Sequence, residues 1–339
     1  MRFQKKSLFN SLMLISTILI LVLLAAGCGQ NANQEASTTE QQSQEVQSAE
    51  APKEEPKVEV RKVKHAMGET EITGTPEKVV ILTNEGTEAL LALGVTPVGA
   101  VNSGVGETWY PHILDKMQGV TELGDETQPN IELIASLKPD LIIGNKVRHE
   151  EIYAQLSAIA PTVYSEDLAG QWKNNFVLYA EALNKQEEGK KLMAEYDQHV
   201  EEAKAQLGDK LSTEVSVVRF LPKAVRLYMK DTFSGTILKD LGFARPASQD
   251  KDEFMEVITK EQMAKMDGDI MFYFNADYDE SKGGTKMQEE WMADPLYQNL
   301  NVAKNNKAFK VDEVIWNLSG GIISANLLID QILEFSKEM

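Results

Sequence analysis

Short apolar runs alternate with stretches of helical period along most of the chain. In the first half the runs lie at residues 79–82 (VVIL), 98–101 (VGAV), 141–143 (LII) and 162–164 (TVY), and the helical stretches at 87–93 and 131–137. The same alternation returns after residue 213, with runs at 214–220, 225–230, 270–274 and 308–311. Apolar runs this short, separated by helix-length segments, predict an α/β layer built on a mostly parallel sheet. Between the two blocks, the segment beginning "WKNNFVLYAEALNK" keeps a helical period for about thirty-five residues. Phe176, Tyr179, Ala180, Leu183, Leu192 and Tyr196 give it an apolar side, and Gly208 is a natural stop. The pattern therefore predicts two Rossmann-like α/β lobes, residues 58–170 and 208–339, joined by one long helix over 171–207.

The two blocks echo each other. "NIELIASLKPDLII" and "TKEQMAKMDGDIMF" superimpose without a gap at an offset of 129 residues (261 minus 132, and 269 minus 140). Glu132 then meets Glu261, Leu137 meets Met266 and Asp140 meets Asp269, and the shared unit is helix, tight turn, buried strand. Each glutamate falls in a first helical turn behind a capping residue, Asn130 or Thr259, where the helix dipole favours a carboxylate. On the residues alone these acids are dipole partners.

The first thirty residues set the compartment. Arg2, Lys5 and Lys6 precede an apolar run that ends in small residues at Cys28, the only cysteine, and this is the pattern of an export signal over residues 1–27. Cys28 resembles the lipid-modified cysteine of a bacterial lipoprotein, although Ala25 stands where such signals more often carry Leu. Residues 28–57 are rich in Gln, Glu, Ser and Ala with few large apolar side chains, so they read as a disordered tether reaching about 30 Å. Removing the leader takes the net charge from -18 to -21. So acidic a chain is not built for nucleic acid or for adhesion to anionic lipid.

"HAMGETEITGTPEKVVIL", "LLALGVTPVGA", "QPNIELIASLKPDLIIGN", the long middle helix and "DTFSGTILKDLGFARP" together resemble an iron-siderophore substrate-binding lipoprotein. This is the helical-backbone class of ABC importer binding proteins, which also serves haem and cobalamin. Within it the chain is most similar to Gram-positive binders of hydroxamate or citrate-hydroxamate siderophores. The resemblance covers residues 58–339. It implies a monomer that binds an Fe(III)-siderophore complex, with no cofactor of its own. It also implies that Glu132 and Glu261 dock on the two permease subunits, and that a lipid on Cys28 holds the protein at the outer face of the cell membrane.

The ligand is then expected in the cleft between the lobes, at the carboxyl ends of the strands. From the first lobe the candidates are Asn84, Glu85, Asn102, Trp109 and the segment Asn145 to Arg148. From the second they are Arg219, Arg226, Tyr273, Asn275, Trp316 and Asn317, with Trp172 at the start of the connecting helix as a floor. Arginine is the sharpest of these signals, because its fork of donors pairs with carboxylate, hydroxamate or catecholate oxygens. Of six arginines, Arg148, Arg219 and Arg226 follow or sit in buried strands; Arg61 belongs to the first strand, and Arg245 caps a helix end or pairs with a surface acid.

Other functions lack parts. No G-x-S-x-G elbow is present, and Gly104-Val105-Gly106 has Trp109 where a dinucleotide fingerprint needs a third glycine. A zinc or manganese carrier of similar architecture needs clustered imidazoles and carboxylates, whereas His65, His112, His149 and His199 are scattered. Haem or cobalamin is the alternative ligand; haem asks for a Tyr or His, for which Tyr164, Tyr228 and Tyr273 are available.

Overall fold

The computed structural model describes residues 59–339; the leader, the tether and Cys28 lie outside the described residues. The chain opens with an antiparallel hairpin, β1 (Val60–His65) and β2 (Gly68–Thr73). The first lobe follows with β3 (Val79–Ile81), α1 (Asn84–Ala92), β4 (Gly99–Ala100), β5 (Thr121–Glu122), a small hairpin of β6 (Gly124–Asp125) and β7 (Gln128–Pro129), and α2 (Ile131–Leu137). It ends with β8 (Leu141–Asn145), α3 (Lys146–His149), α4 (Tyr153–Ser157) and β9 (Thr162–Ser165). Its sheet is parallel, in the order β5-β4-β3-β8-β9. Strands β3, β8 and β9 are buried at every position, which is why they appear in the sequence as unbroken apolar runs rather than as alternation.

Two helices, α5 (Trp172–Ala182) and α6 (Gln186–Leu207), connect this sheet to the second. The expected single helix over 171–207 is thus a helix of eleven residues and a long one of twenty-two. The break has a local cause. Asn184 adopts the left-handed region at φ 58°, which Asn tolerates, and its side-chain amide donates to Thr75 Oγ1 at 2.8 Å. The two pieces then pack closely where Gly189 faces Ala180; a Cβ at Gly189 would come within 2.6 Å of the alanine methyl. Gly208 ends α6 at φ 53°.

The second lobe contains β10 (Val215–Leu221), β11 (Ala224–Tyr228), α7 (Phe233–Leu241), β12 (Met255–Ile258), β13 (Ile270–Asn275), α8 (Gly283–Met292), α9 (Pro295–Gln298), α10 (Asn301–Lys304), β14 (Ala308–Lys310) and α11 (Ile322–Phe335). Its sheet is mixed, in the order β12-β11-β10-β13-β14: β10, β13 and β14 run parallel, and β11 and β12 add antiparallel strands on one edge. Helices α5, α6, α7 and α11 share one apolar core with faces of both sheets, including Trp172, Tyr196, Phe233, Phe272 and Trp316. The fold is α/β, two lobes about a long helix.

The internal echo has a structural meaning. Asp140 accepts hydrogen bonds from the backbone N–H groups of Glu77 and Lys78, at 2.9 and 3.0 Å, just before β3. Asp269 accepts from Glu214 N at 2.9 Å, just before β10. In both lobes one aspartate ties the strand it precedes to the start of the neighbouring strand. The helices of the two units differ: α2 is α-helical behind its Asn130 cap, whereas Lys260–Met266 winds as a tighter 3₁₀ turn behind a Thr259–Gln262 capping box.

Candidate functional site

A cavity of about 630 Å³ lies between the lobes and is lined by Arg148, Arg219 and Arg226 together. Arg148 comes from α3, directly after β8, where Asn145 caps the short helix by accepting from Arg148 N at 3.3 Å. The other two come from one antiparallel pair, in which Arg219 of β10 stands directly opposite Arg226 of β11. Their neighbours Val218, Phe220, Val225 and Leu227 point to the opposite face and form a core cluster beneath the sheet. Strand alternation therefore sends the two guanidinium groups to the cavity side.

The three arginines differ in how far the protein compensates them. Arg219 forms an ion pair with Glu313 at 2.7 Å, its Nη1 donates to the Tyr228 hydroxyl at 3.0 Å, and its Nη2 donates to Tyr278, which in turn donates to Glu313 at 2.9 Å. Burial opposes the charge on Arg219, yet Tyr228, Glu313 and Tyr278 hold its pKa above the ordinary value. Burial also raises the Glu313 carboxyl, against the pull of Arg219. Arg148 is half exposed and sits 3.4 Å from Glu126, which also accepts from Asn84 N and Nδ2. Arg226 makes no hydrogen bond or ion pair among the described residues, and its buried Nε has no partner. It is the uncompensated cation of the cavity.

The remaining walls are polar loops and two aromatic rings. Asp167 to Gln171, leading into α5, forms one side; Gly170 is fixed there because a Cβ would come 2.6 Å from the Asp231 carbonyl. Asn317 to Gly320 forms another, carried by a single π-turn at Val314–Leu318, beyond which Gly320 stands at φ 71°. Single π-turns are frequent at functional sites. Tyr228 and Phe254 supply the aromatic surface, with ring centroids 5.9 Å apart. Glu85, in the first turn of α1, is buried yet touches the cavity. Burial pushes its carboxyl up to about 8, against hydrogen bonds from Asn175 and Tyr179 and with added repulsion from Glu126 and Glu88.

Nine of the candidates do not line this cavity, Asn102, Asn145 and Lys146 among them. Tyr273 and Asn275 lie opposite Val218 and Phe220 in register, so alternation turns them to the far face. There Tyr273 packs on Phe220 at 5.8 Å, and Asn275 donates to Thr285 and Gln288. Trp172 is buried under the loop that leads into it, edge-on to Tyr196 and Phe233, with Nε1 donating to Thr236. Trp316 is fully buried against Phe272 at 4.7 Å and donates to Gln331. Trp109 is part of the apolar core shared by the two sheets. Asn84 acts at one remove, holding Glu126 in place and donating to the Asn102 carbonyl. Arg245 neither caps a helix nor meets a surface acid: it is buried and donates to the Val215 and Tyr228 carbonyls and to Gln249. Sequence reasoning missed Glu126, Phe254 and the Glu313–Tyr278 pair, all on turns or irregular segments that no periodicity marks.

The chemistry on offer is capture of an anion. Three guanidinium groups, one of them free, face a space large enough for a small chelate, and no cluster of three or more His, Cys, Asp or Glu side chains able to hold a bare metal ion is found among the described residues. Glu132 and Glu261 lie away from the cavity, both exposed; the Thr259 hydroxyl and backbone hydrogen bonding hold the Glu261 carboxyl below its usual value.

Residues 79–314 match the periplasmic binding protein family. A probable siderophore-binding lipoprotein of Bacillus subtilis, YfiY, is 50% identical over 280 residues, covering 80% of this chain and 86% of that protein. The Fe(3+)-citrate-binding protein YfmC of the same organism is 30% identical across 96% of this chain and 97% of its own. Among solved structures, Staphylococcus aureus SirA complexed with staphyloferrin B matches with a TM-score of 0.76 and 36% identity, over 81% of this chain and 97% of that one. The chain belongs to the periplasmic binding protein family, a family of substrate-binding proteins rather than of enzymes.

Proposed function

We propose that this protein captures a ferric siderophore of hydroxamate or citrate-hydroxamate type in the cavity between its lobes and delivers it to an ABC importer. The observation that carries the reading is Arg226, a partly buried arginine whose guanidinium has no protein partner among the described residues, placed beside Arg219 and across from Arg148 in a cavity of about 630 Å³. A ferric siderophore presents a rim of anionic oxygens around a metal it already coordinates. The protein then needs donors and aromatic surface, not metal ligands, and the cavity has both. The names of its relatives, for siderophore, ferric citrate and staphyloferrin B, agree with that ligand class.

In this reading Glu132 and Glu261, exposed at equivalent first turns of the two lobes, meet the two permease subunits. A lipid on Cys28 tethers the protein, a monomer, to the outer face of the membrane; no helix among the described residues is long and apolar enough to cross one. Intrinsic tryptophan fluorescence, titrated with ferric hydroxamates, ferric citrate, haem and zinc, tests the ligand class. Tight quenching by a ferric chelate supports the reading. Tight binding of haem or zinc with none of any ferric chelate overturns it.

A further inference from the structure

Glu85 is out of place in a cavity that collects anions. It lies on the floor, more than nine-tenths buried, and only one of its oxygens is engaged: Oε1 accepts from Asn175 Nδ2 at 2.9 Å and from the Tyr179 hydroxyl at 3.5 Å, while the buried Oε2 has no partner. A buried carboxylate with an empty oxygen is costly, and the neutral acid avoids that penalty.

The surroundings point the same way. On α1 itself stands Glu88, fully buried and already held by Ser324 N at 2.9 Å and by His112. From the β6–β7 turn comes Glu126, occupied by Arg148 and Asn84. From α5 come Tyr179 and the uncharged Asn175. From the turn before α11, Gly320 and Gly321 press on Glu85 without any charge: a Cβ on Gly320 would stand 3.9 Å from the Glu85 Cβ, and one on Gly321 would stand 2.9 Å from the Glu85 carbonyl. Asp167 and Asp231 stand in the cavity wall, and the cavity's cations are Arg148, Arg219 and Arg226. Two of those arginines are paired with other acids and Arg226 with none, so no arginine of the cavity pairs with Glu85.

We propose that Glu85 couples capture to protonation: it is neutral whenever an anionic chelate is bound, and capture at alkaline pH takes up a proton from solvent onto Oε2. The inference rests on the functional reading above. An anion entering beside Glu85 repels its ionised form, so binding and protonation support each other by linkage. The neutral acid leaves the arginine field undiminished at the floor and turns Oε2 from an empty acceptor into a donor.

The test is calorimetric titration of the full protein with ferric citrate at pH 8–9, in two buffers of different protonation enthalpy, for wild type and Glu85→Gln. Wild type should take up a fraction of a proton approaching one, and its affinity should fall by up to about tenfold per pH unit in that range. Glu85→Gln should take up none at this site and show a flatter profile. The infrared C=O stretch of a protonated carboxyl, present in ligand-free wild type at pH 7 and absent in the variant, gives a readout that needs no ligand. Equal proton uptake and parallel pH profiles in the two proteins, or no such band, would overturn the proposal while leaving the functional reading intact. If no ferric chelate binds wild type, the functional reading fails and the inference falls with it.

Discussion

Arg219 and Arg226 stand directly opposite each other on β10 and β11, two like charges on one face of an antiparallel pair. Direct cross-strand like charges destabilise a sheet. The protein relieves only one side of that repulsion, with Glu313, Tyr228 and Tyr278 around Arg219. Arg226 has no such compensation among the described residues.

This asymmetry gives the two arginines different mutational signatures. Arg226→Ala should weaken ferric-chelate binding by about 1–3 kcal/mol, the range for charged hydrogen bonds, and leave the melting temperature unchanged or slightly higher. Titration and thermal unfolding of the same variant check both halves. Unchanged affinity would remove Arg226 from the site.

Arg219→Ala should weaken binding and also unfold more easily, because it strands the Glu313 carboxylate in a site where its side chain is only 10% exposed. Breaking one partner of a buried pair is typically worth about 3 kcal/mol of stability. Glu313→Gln in the Arg219→Ala background should recover much of that stability without recovering binding. A double variant as unstable as the single one would show that the pair is not what Arg219 contributes to the fold.

The buried acid makes a stability prediction separate from ligand. The carboxyl of Glu85 is raised from 4.5 to about 8 in the folded protein. The folded state therefore binds more protons than the unfolded state through that window, and this group's share of stability falls as pH rises from 4.5 to 8. Glu85→Gln should flatten that part of the pH dependence and be the more stable protein at pH 8, by up to about 4 kcal/mol. Chemical denaturation at pH 5, 6.5 and 8 reads the slope; identical slopes in both proteins would contradict the assignment.

Glu132→Ala and Glu261→Ala touch no cavity residue, so ferric-chelate affinity should be unchanged in each, while uptake of the labelled chelate by cells should fall sharply in the double variant. Loss of affinity in purified protein would contradict a docking role.

Much of the scaffold was legible because burial writes itself into sequence. β3, β8 and β9 are covered on both faces and appear as pure apolar runs; Asn130 and Thr259 cap the turns at which they were expected. The break at Asn184 was not legible, since one left-handed residue anchored to Thr75 leaves the helical period on either side intact. The three arginines do meet in one cavity, but Tyr273 and Asn275 fell to the alternation of β13, where one position decides the face. Glu126 was invisible for a different reason. It sits in a two-strand turn with no pattern of its own, and Asn84, Arg148 and His149 hold it at the site.

The central claim is that an anionic ferric chelate is held by the arginines of the cavity, with Arg226 as its principal unshared donor. A crystal structure of the protein soaked with ferric citrate or a ferric hydroxamate tests it most directly. The account predicts chelate oxygens within about 3 Å of the Arg226 guanidinium, with Arg219 or Arg148 also in contact, and no protein atom bonded to iron. A chelate bound elsewhere, or iron ligated by protein side chains, would contradict it.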